Sequence, residues 1–346
     1  MLEFFAEYGL FLAKTVTVLV AVLVVIGAAF SSSGKERKGK KARIKTEYLN
    51  DHYKEMKHEL QSEVLYKDEL KQLGKAEKKQ QKEEKKQRKK QSDDSRKRRV
   101  YVLGFHGDVK ASAVEHLREE ITSVLSMAEK QDEVVINLES PGGMVHSYGL
   151  ASSQLARIRS AEIPLTICVD KVAASGGYMM ACLGDKIIAA PFAILGSIGV
   201  LAQLPNFNRL LKKHDVDYEL YTAGEYKRTV TMMGENTEKG RQKFKEEIED
   251  THGLFKDFVS TNRPSMDIEK VATGEHWYGL RAKELNLLDE IMTSDEYITK
   301  ACETANVYAV SYEEKKNMAS RLGFSMEESL DRLLLRWIGR VVFKQL

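Results

Sequence analysis

Ser175 is the first residue whose surroundings predict chemistry. The apolar run Leu165–Val169 ahead of it predicts a short buried strand, two alanines precede the serine, and two glycines follow it. A serine on a strand-to-helix turn projects out of the sheet, and glycines after it leave backbone N–H groups free to donate. The pattern therefore points to a nucleophile, although taken alone it is also typical of a close-packed turn.

A second glycine-rich segment, Glu139–Gly143, follows a strand predicted at Val134–Leu138. In parallel sheets, ligands bind in the loops that leave the carboxyl ends of the strands. One predicted helix, Val145–Ser160, separates this segment from the Ser175 turn in the chain. We therefore expect the two segments to converge on a single site at one sheet edge.

The elements around both segments alternate between strand and helix. Further strands are predicted at Val100–Phe105 and Ile187–Ala190, with one helix at Ala111–Ala128 and another after Ser175. Strands that alternate with helices of this length indicate βαβ units and parallel strands. The fold class predicted for residues 100–300 is therefore α/β.

A serine hydroxyl needs a base that takes its proton. Three histidines qualify by residue type, and none stands in a setting that singles it out: His106, His146 and His214. Lys227 is the alternative, because it follows a predicted strand at Tyr218–Thr222 and a glycine turn. A lysine acts as a base only when it is neutral, so it would have to be buried on substrate binding or assembly. Taken alone, a lysine beside Arg228 is typical of a solvated surface.

The composition limits the other kinds of site. The three cysteines have neither disulfide nor zinc spacing, and Cys168 and Cys182 stand in apolar runs that predict core positions. No histidine pair has metalloprotease spacing, and no glycine-rich segment has the P-loop pattern. We therefore predict no metal site and no cofactor. A chain of 346 residues is long enough for one large domain or two of medium size.

The first thirty residues predict a membrane anchor. Tyr8–Phe30 is apolar except for Lys14 and two threonines, and it is long enough to cross a bilayer. A cleaved signal peptide is the alternative, but Glu3 and Glu7 stand where such a peptide carries positive charge. A cluster of lysines and arginines follows within 35–45. The positive-inside rule then favours the cytoplasm for the C-terminal side.

Residues 31–99 form a basic extension. From Ser31 to Val100 there are 24 Lys and Arg against 13 Asp and Glu, whereas the rest of the chain is acidic. Apolar residues three or four apart predict a helix within Thr46–Leu73. Lys75–Arg99 has almost no apolar residues, which indicates a solvated helix or a disordered tether. Nucleic-acid binding is disfavoured, because no aromatic residue is interleaved with the charges.

Taken together, the motifs resemble the signal peptide peptidase A family of Ser–Lys membrane proteases. The likeness covers Val100 to about Ile291 and is closest to short bacterial members with one anchor, a charged extension and a single catalytic domain. Six segments carry it in order: S-P-G-G at Ser140–Gly143, A-S-G-G-Y at Ala174–Tyr178, G-S-I-G-V at Gly196–Val200, G-E-Y-K at Gly224–Lys227, G-x-x-W-x-G at Gly274–Gly279 and A-K-E-L-N-L-L-D-E at Ala282–Glu290.

The resemblance implies a ClpP/crotonase-like α/β fold built of repeated βαβ units, and it implies roles for six residues. Ser175 would be the nucleophile and Lys227 the base. Ser197 would orient the lysine amine. Gly176, together with Gly142 or Gly143, would supply the oxyanion-hole donors. It also implies a bacterial inner-membrane protein that assembles into a ring-shaped homo-oligomer, with serine and lysine meeting across subunits. Its substrates would be extended apolar peptides, such as signal peptide remnants or unfolded membrane-protein segments. The run Arg228–Met233 departs from the longer members, so no substrate contact is carried over there.

Two other functions remain open at this stage. The fold could use its glycine hole for an acyl-CoA thioester, as crotonases do, but such chemistry needs neither the serine nor an anchor. The chain could also be a membrane-tethered adaptor that keeps the fold only for oligomerisation. The C-terminal segment 301–346 fits either assembly or a membrane surface, since Met326–Leu346 combines apolar residues with a basic residue at nearly every fourth position.

Overall fold

A computed structural model describes residues 9–20, 43–90 and 96–313. The chain divides into two compact units, one of which comprises residues 44–312. In the other unit, residues 9–20 are helical (α1). Most of the predicted anchor and the C-terminal segment Met326–Leu346 lie outside the described residues. Among the residues that are described, no helix combines the length and apolar character needed to cross a membrane.

A seven-stranded sheet forms the centre of the larger unit. Its order is β1-β10-β2-β3-β4-β6-β9, and neighbouring strands from β10 to β9 pair in parallel. The strands are β1 (Arg43–Tyr48), β2 (Arg99–His106), β3 (Glu133–Glu139), β4 (Leu165–Val169), β6 (Lys186–Ala189), β9 (Glu290–Ile291) and β10 (Asn306–Glu313). The predicted α/β class with parallel strands is confirmed.

A second, three-stranded sheet holds the residues around Ser175. Its order is β5-β7-β8, with β5 and β7 parallel and β7 and β8 antiparallel. The strands are β5 (Val172–Ala174), β7 (Ile194–Gly196) and β8 (His276–Tyr278). Because β5 follows β4 after only two residues, the chain passes directly from the large sheet into the small one.

Helices cover the sheets and connect their strands. Leu117 and Ile121 of α4 and Leu155 and Ile158 of α5 are buried against the sheet, as the apolar spacing of both segments predicts. The helices are α2 (Leu49–Val64), α3 (Lys67–Lys90), α4 (Val114–Leu125), α5 (Val145–Ser160), α6 (Gly176–Ala181), α7 (Asn208–Lys213), α8 (Glu238–Asn262), α9 (Ile268–Val271), α10 (Gly279–Glu284) and α11 (Ser294–Thr304).

The compact unit extends beyond residues 100–300 at both ends. On the C-terminal side, β10 pairs with β2 in the register Val307 to Val100, so it completes the sheet. On the N-terminal side, the amide of Asn50 donates to the carbonyl oxygens of Cys302 and Ala305 at 2.8 and 2.9 Å. Part of the basic extension therefore belongs to the folded unit, because it caps the last helix and strand.

Four local predictions can be compared with the structure, and one of them, the strand at Tyr218–Thr222, is wrong. The helix predicted within Thr46–Leu73 is confirmed, because the apolar residues spaced three or four apart lie on α2 (Leu49–Val64), which directly follows the edge strand β1. Tyr218–Thr222 forms no strand and is exposed to solvent. For Lys75–Arg99, the structure favours the helical alternative as far as Lys90, where α3 ends. Cys168 and Cys182 are buried in the core, as their apolar surroundings predict.

Candidate active site

Ser175 joins a strand to a helix in a conformation that side chains rarely adopt. β5 ends at Ala174, α6 begins at Gly176, and the serine between them has φ 52° and ψ −119°. A non-glycine residue in this region costs about 1–3 kcal/mol and persists only where its surroundings enforce it. Strained turns between a strand and a helix are also known to carry nucleophilic serines, because such a turn exposes the serine hydroxyl.

Ser197 lies beside Ser175 at the end of the neighbouring strand. The register of β5 and β7 pairs Ala174 with Gly196, and the Ser175 N–H donates to the Gly196 carbonyl at 2.8 Å. Ser197 also has a positive φ, 53°, and its N–H donates to the Glu275 carbonyl at 2.6 Å. The structure therefore brings together the backbones of these two predicted site residues.

The loop Ser140–Gly143 packs against the Ser175 turn, as its place in the sequence predicts. Ser140 forms a parallel bridge with Ala173. Gly142 has φ 90°, and a methyl group placed on it would lie 2.7 Å from Ser175 Cβ and 2.8 Å from the Gly176 nitrogen. Only glycine allows such an approach.

The three predicted oxyanion-hole donors are not equivalent. The N–H of Gly142 donates to Ser140 Oγ at 3.1 Å, so it is already occupied. Among the described residues, no acceptor takes the N–H of Gly143 or of Gly176. Gly143 and Gly176 are therefore the pair of donors that remain available beside Ser175.

A small apolar cavity of about 20 Å³ opens beside Ser175. Besides the serine, its lining comes from four parts of the chain: Gly143 and Val145, Gly176 and Met179, Gly199 and Val200, and Thr251 and Phe255. The motifs did not identify Val145 of α5, Met179 of α6 or Thr251 and Phe255 of α8, because these are ordinary positions on helices. The only sequence signal for Phe255 is the amphipathic spacing of α8.

Lys227 is a surface residue in this single chain. Its side chain is exposed, and in the part of the chain that the structure describes no hydrogen bond joins it to Ser175 or Ser197. Its N–H donates to the Gly224 carbonyl at 3.2 Å, within the predicted glycine turn. Lys227 belongs to a long segment, residues 201–228, in which almost every residue is exposed.

The candidate histidines are surface residues. His106 pairs with Glu139 at 3.6 Å and is largely exposed, while His146 and His214 are exposed as well. His252, which the sequence did not indicate, places Nε2 3.2 Å from the Ile198 carbonyl, next to the cavity residue Gly199. A carbonyl oxygen can only accept a hydrogen bond, so Nε2 carries a proton in this contact and is not available as a base.

The thiols near the site are not competing nucleophiles. Burial raises the pKa of Cys182, four residues beyond the end of the Ser175–Tyr178 turn, to about 12. Burial also raises the pKa of Cys168, on β4. The thiolate is the reactive form of cysteine, and these environments suppress it.

Comparison with known proteins assigns the family. A family model described as Peptidase family S49 N-terminal matches residues 3–155, and the model described as Peptidase family S49 matches residues 157–308. A probable protease SohB of Haemophilus influenzae is 51% identical over 336 residues, which cover 95% of each chain. The chain belongs to peptidase family S49. The resemblance drawn from the motifs is therefore confirmed.

Another curated relative and a solved structure are also similar to this chain. A probable protease SohB of Buchnera aphidicola subsp. Acyrthosiphon pisum is 46% identical and covers 95% of this chain and 96% of its own. Among solved structures, the 1510-N membrane-bound stomatin-specific protease covers 60% of this chain and 86% of its own, at 15% identity and a TM-score of 0.39. Membership of S49 makes the chain a member of a peptidase family.

Proposed function

We propose that this S49 protein is a serine endopeptidase in which Ser175 is the nucleophile and Lys227 the general base. The observation that carries the proposal is the strained Ser175, held at φ 52° between β5 and α6 with Gly142 packed directly against it. The proposal is also supported by Gly143 and Gly176, whose N–H groups have no acceptor in the part of the chain that the structure describes. An adaptor that kept the fold only for assembly would have no need for such strain.

In the proposed reaction, Ser175 Oγ attacks the peptide carbonyl carbon and its proton passes to the neutral Lys227 amine. The carbonyl oxygen becomes an oxyanion that accepts the N–H groups of Gly143 and Gly176. The C–N bond then breaks, the amine leaves with the proton from Lys227, and water hydrolyses the acyl-serine by the same groups. Ser197, beside Ser175 at the end of β7, would orient the lysine amine.

We further propose that Lys227 reaches Ser175 across a subunit boundary in a ring-shaped homo-oligomer. Segment 201–228 is exposed in the single chain although it is rich in apolar residues; for example, Leu201 is 79% and Tyr221 86% exposed. Exposed apolar surface of this kind is typical of protein interfaces. Burial at this interface would also remove water from the Lys227 amine. Desolvation favours the neutral form of a lysine, and only that form can act as a base.

The proposed substrates are extended apolar segments of membrane or exported proteins. Val145, Met179, Val200 and Phe255 give the cavity beside Ser175 an apolar lining, which suits a small apolar side chain next to the cleaved bond. An anchor within residues 8–30 would hold the enzyme at the inner membrane, where such segments occur. The basic cluster after it favours a cytoplasmic catalytic domain.

The proposal is tested by hydrolysis of apolar fluorogenic peptides by the purified full chain. Ser175→Ala and Lys227→Ala should each abolish turnover, because members of one catalytic unit fail together. Ser153→Ala and Lys57→Ala are matched controls on the exposed surfaces of α5 and α2, outside segment 201–228, and should keep full activity. Undiminished hydrolysis by Ser175→Ala would refute the proposal, and a folded wild-type protein without any peptidase activity would favour the adaptor.

A further inference from the structure

Two buried hydroxyls lie directly beneath the loop that carries Gly142 and Gly143. Ser140 Oγ is 2.5 Å from Tyr148 Oη, and both residues are completely buried. Tyr148 donates to the Asp108 carbonyl at 2.8 Å. Gly142 N–H donates to Ser140 Oγ at 3.1 Å.

The proton positions in this group follow from counting donors. A tyrosine has one hydroxyl proton, and a carbonyl oxygen can only accept, so the Tyr148 proton points to Asp108. Ser140 must therefore donate to Tyr148, and its oxygen accepts the Gly142 N–H. The result is a directed chain of hydrogen bonds that runs from Gly142 through Ser140 and Tyr148 to Asp108.

Both ends of this chain are fixed. At one end, the Asp108 carboxylate accepts the N–H groups of Lys110 and Ser112 at 3.1 and 2.8 Å, which holds that turn in place. At the other end, Gly142 contacts Ser175. A network in which every member is satisfied is rigid, and hydrogen bonds in such a chain strengthen one another.

The ring of Tyr148 supports the opposite side of the site. A methyl group placed on Gly176 would lie 2.4 Å from Tyr148 Cγ, so the backbone of Gly176 rests on the aromatic ring. The same residue thus contacts the start of α6 with its ring and, through Ser140, the Gly142 loop with its hydroxyl. These are the two backbone segments that carry the proposed oxyanion donors.

We infer that Tyr148, acting with Ser140, is the positioning residue that sets the two halves of the oxyanion hole relative to each other. The inference rests on the proposed function for its catalytic consequence. Neither side chain touches substrate. They fix the direction of the Gly142 N–H. Because the next peptide group carries the N–H of Gly143, fixing Gly142 also orients that donor.

The catalytic test separates kcat from KM in Tyr148→Phe, which keeps the ring and removes the hydroxyl. Loss of an oxyanion donor lowers kcat by about 10²–10³-fold, and misdirection of one should cost somewhat less, about 10–100-fold. KM should stay within about twofold, since binding of the ground state does not use the hole. The inhibition constant of a peptide aldehyde, whose adduct with serine is tetrahedral, should rise by the same factor as kcat falls.

A matched control and a double variant exclude a merely structural effect. Tyr297→Phe removes another tyrosine hydroxyl, one bonded to Glu133 at the far end of β3, and should leave kcat unchanged. Ser140→Ala should resemble Tyr148→Phe, and the double variant should be no worse than the single ones, because both break the same chain. Independent multiplying losses, or a kcat for Tyr148→Phe equal to that of Tyr297→Phe, would overturn the inference.

Hydrogen exchange tests the network without relying on catalysis. The Gly142 N–H should exchange slowly in the wild-type protein and at least about tenfold faster in Ser140→Ala and Tyr148→Phe, since local opening governs exchange. Unchanged exchange in both variants would overturn the inference even if the enzyme is inactive. If instead exchange changes but no Ser175-dependent hydrolysis is found in the wild-type protein, the proposed function fails and the network stands.

Discussion

Gly142→Ala is the substitution whose effect the structure determines most closely. Gly142 has φ 90°, a conformation that costs an L-residue about 1–2 kcal/mol. The new methyl group would also lie 2.7 Å from both the Ala174 carbonyl oxygen and Ser175 Cβ, and 2.8 Å from the Gly176 nitrogen. Backbone atoms cannot rotate away, so the loop and the Ser175 turn must move apart, a change of the overpacking kind that costs about 1–3 kcal/mol.

The two contributions together predict a loss of about 2–5 kcal/mol in the free energy of unfolding. For a unit of this size, the melting temperature should fall by roughly 5–15 °C. Activity should fall more than stability suggests, by about 100-fold or more in kcat, because the displaced loop carries a proposed oxyanion donor. Thermal denaturation followed by circular dichroism and peptide hydrolysis well below the melting temperature measure the two effects separately.

Gly149→Ala is the matched control on α5. A methyl group there meets nothing within 4 Å, and alanine in a helix interior is more stable than glycine by about 0.5–1 kcal/mol. This variant should melt slightly higher than wild type with unchanged activity. If Gly142→Ala melts and hydrolyses peptides like Gly149→Ala, the loop is not packed on the Ser175 turn and the reasoning is refuted. A destabilised Gly142→Ala with full kcat would show that the loop is structural only.

Three further predictions concern assembly, specificity and the thiols. Co-expressed Ser175→Ala and Lys227→Ala subunits should recover about a quarter of wild-type activity if each site takes its serine from one subunit and its lysine from the neighbour. No recovery in oligomers shown to contain both subunits would exclude a dyad between subunits. Phe255→Ala enlarges the cavity beside Ser175. The kcat/KM for a peptide with phenylalanine before the cleaved bond, divided by that for the peptide with alanine there, should therefore rise roughly tenfold. An unchanged ratio would mean that this cavity does not receive that side chain. Cys182, with its pKa raised to about 12, should react with Ellman's reagent only on unfolding, and rapid reaction in the native protein would contradict its burial.

The sequence predicted those parts of the site that depend on local backbone requirements. Apolar runs and glycines were sufficient to place the Ser175 turn and the Ser140–Gly143 loop at one edge, because parallel strands bring their carboxyl ends together. The cavity residues Met179 and Phe255 were missed, since nothing in an apolar helical position tells which neighbour it will face. Tyr148 was missed for the same reason.

Long-range contacts account for the remaining differences in the fold. The edge strand β1 pairs with β10, which lies near the other end of the described chain, and no local pattern in residues 43–48 indicates that partner. β10 completes the sheet beside β2 from more than 200 residues away, and no local signal near Val100 indicates it. The position of Lys227 relative to Ser175 depends in the proposal on a second subunit, which a single sequence does not encode as a pattern.

The central claim, that Ser175 is a nucleophile activated by Lys227, is tested most directly by covalent labelling. The full-length protein in mild detergent is treated with a fluorophosphonate probe, digested, and mapped by mass spectrometry. Our account predicts one labelled residue, Ser175, with labelling lost in Lys227→Ala and retained in Lys57→Ala. Label on another residue, or labelling of Ser175 at the wild-type rate in Lys227→Ala, would contradict it.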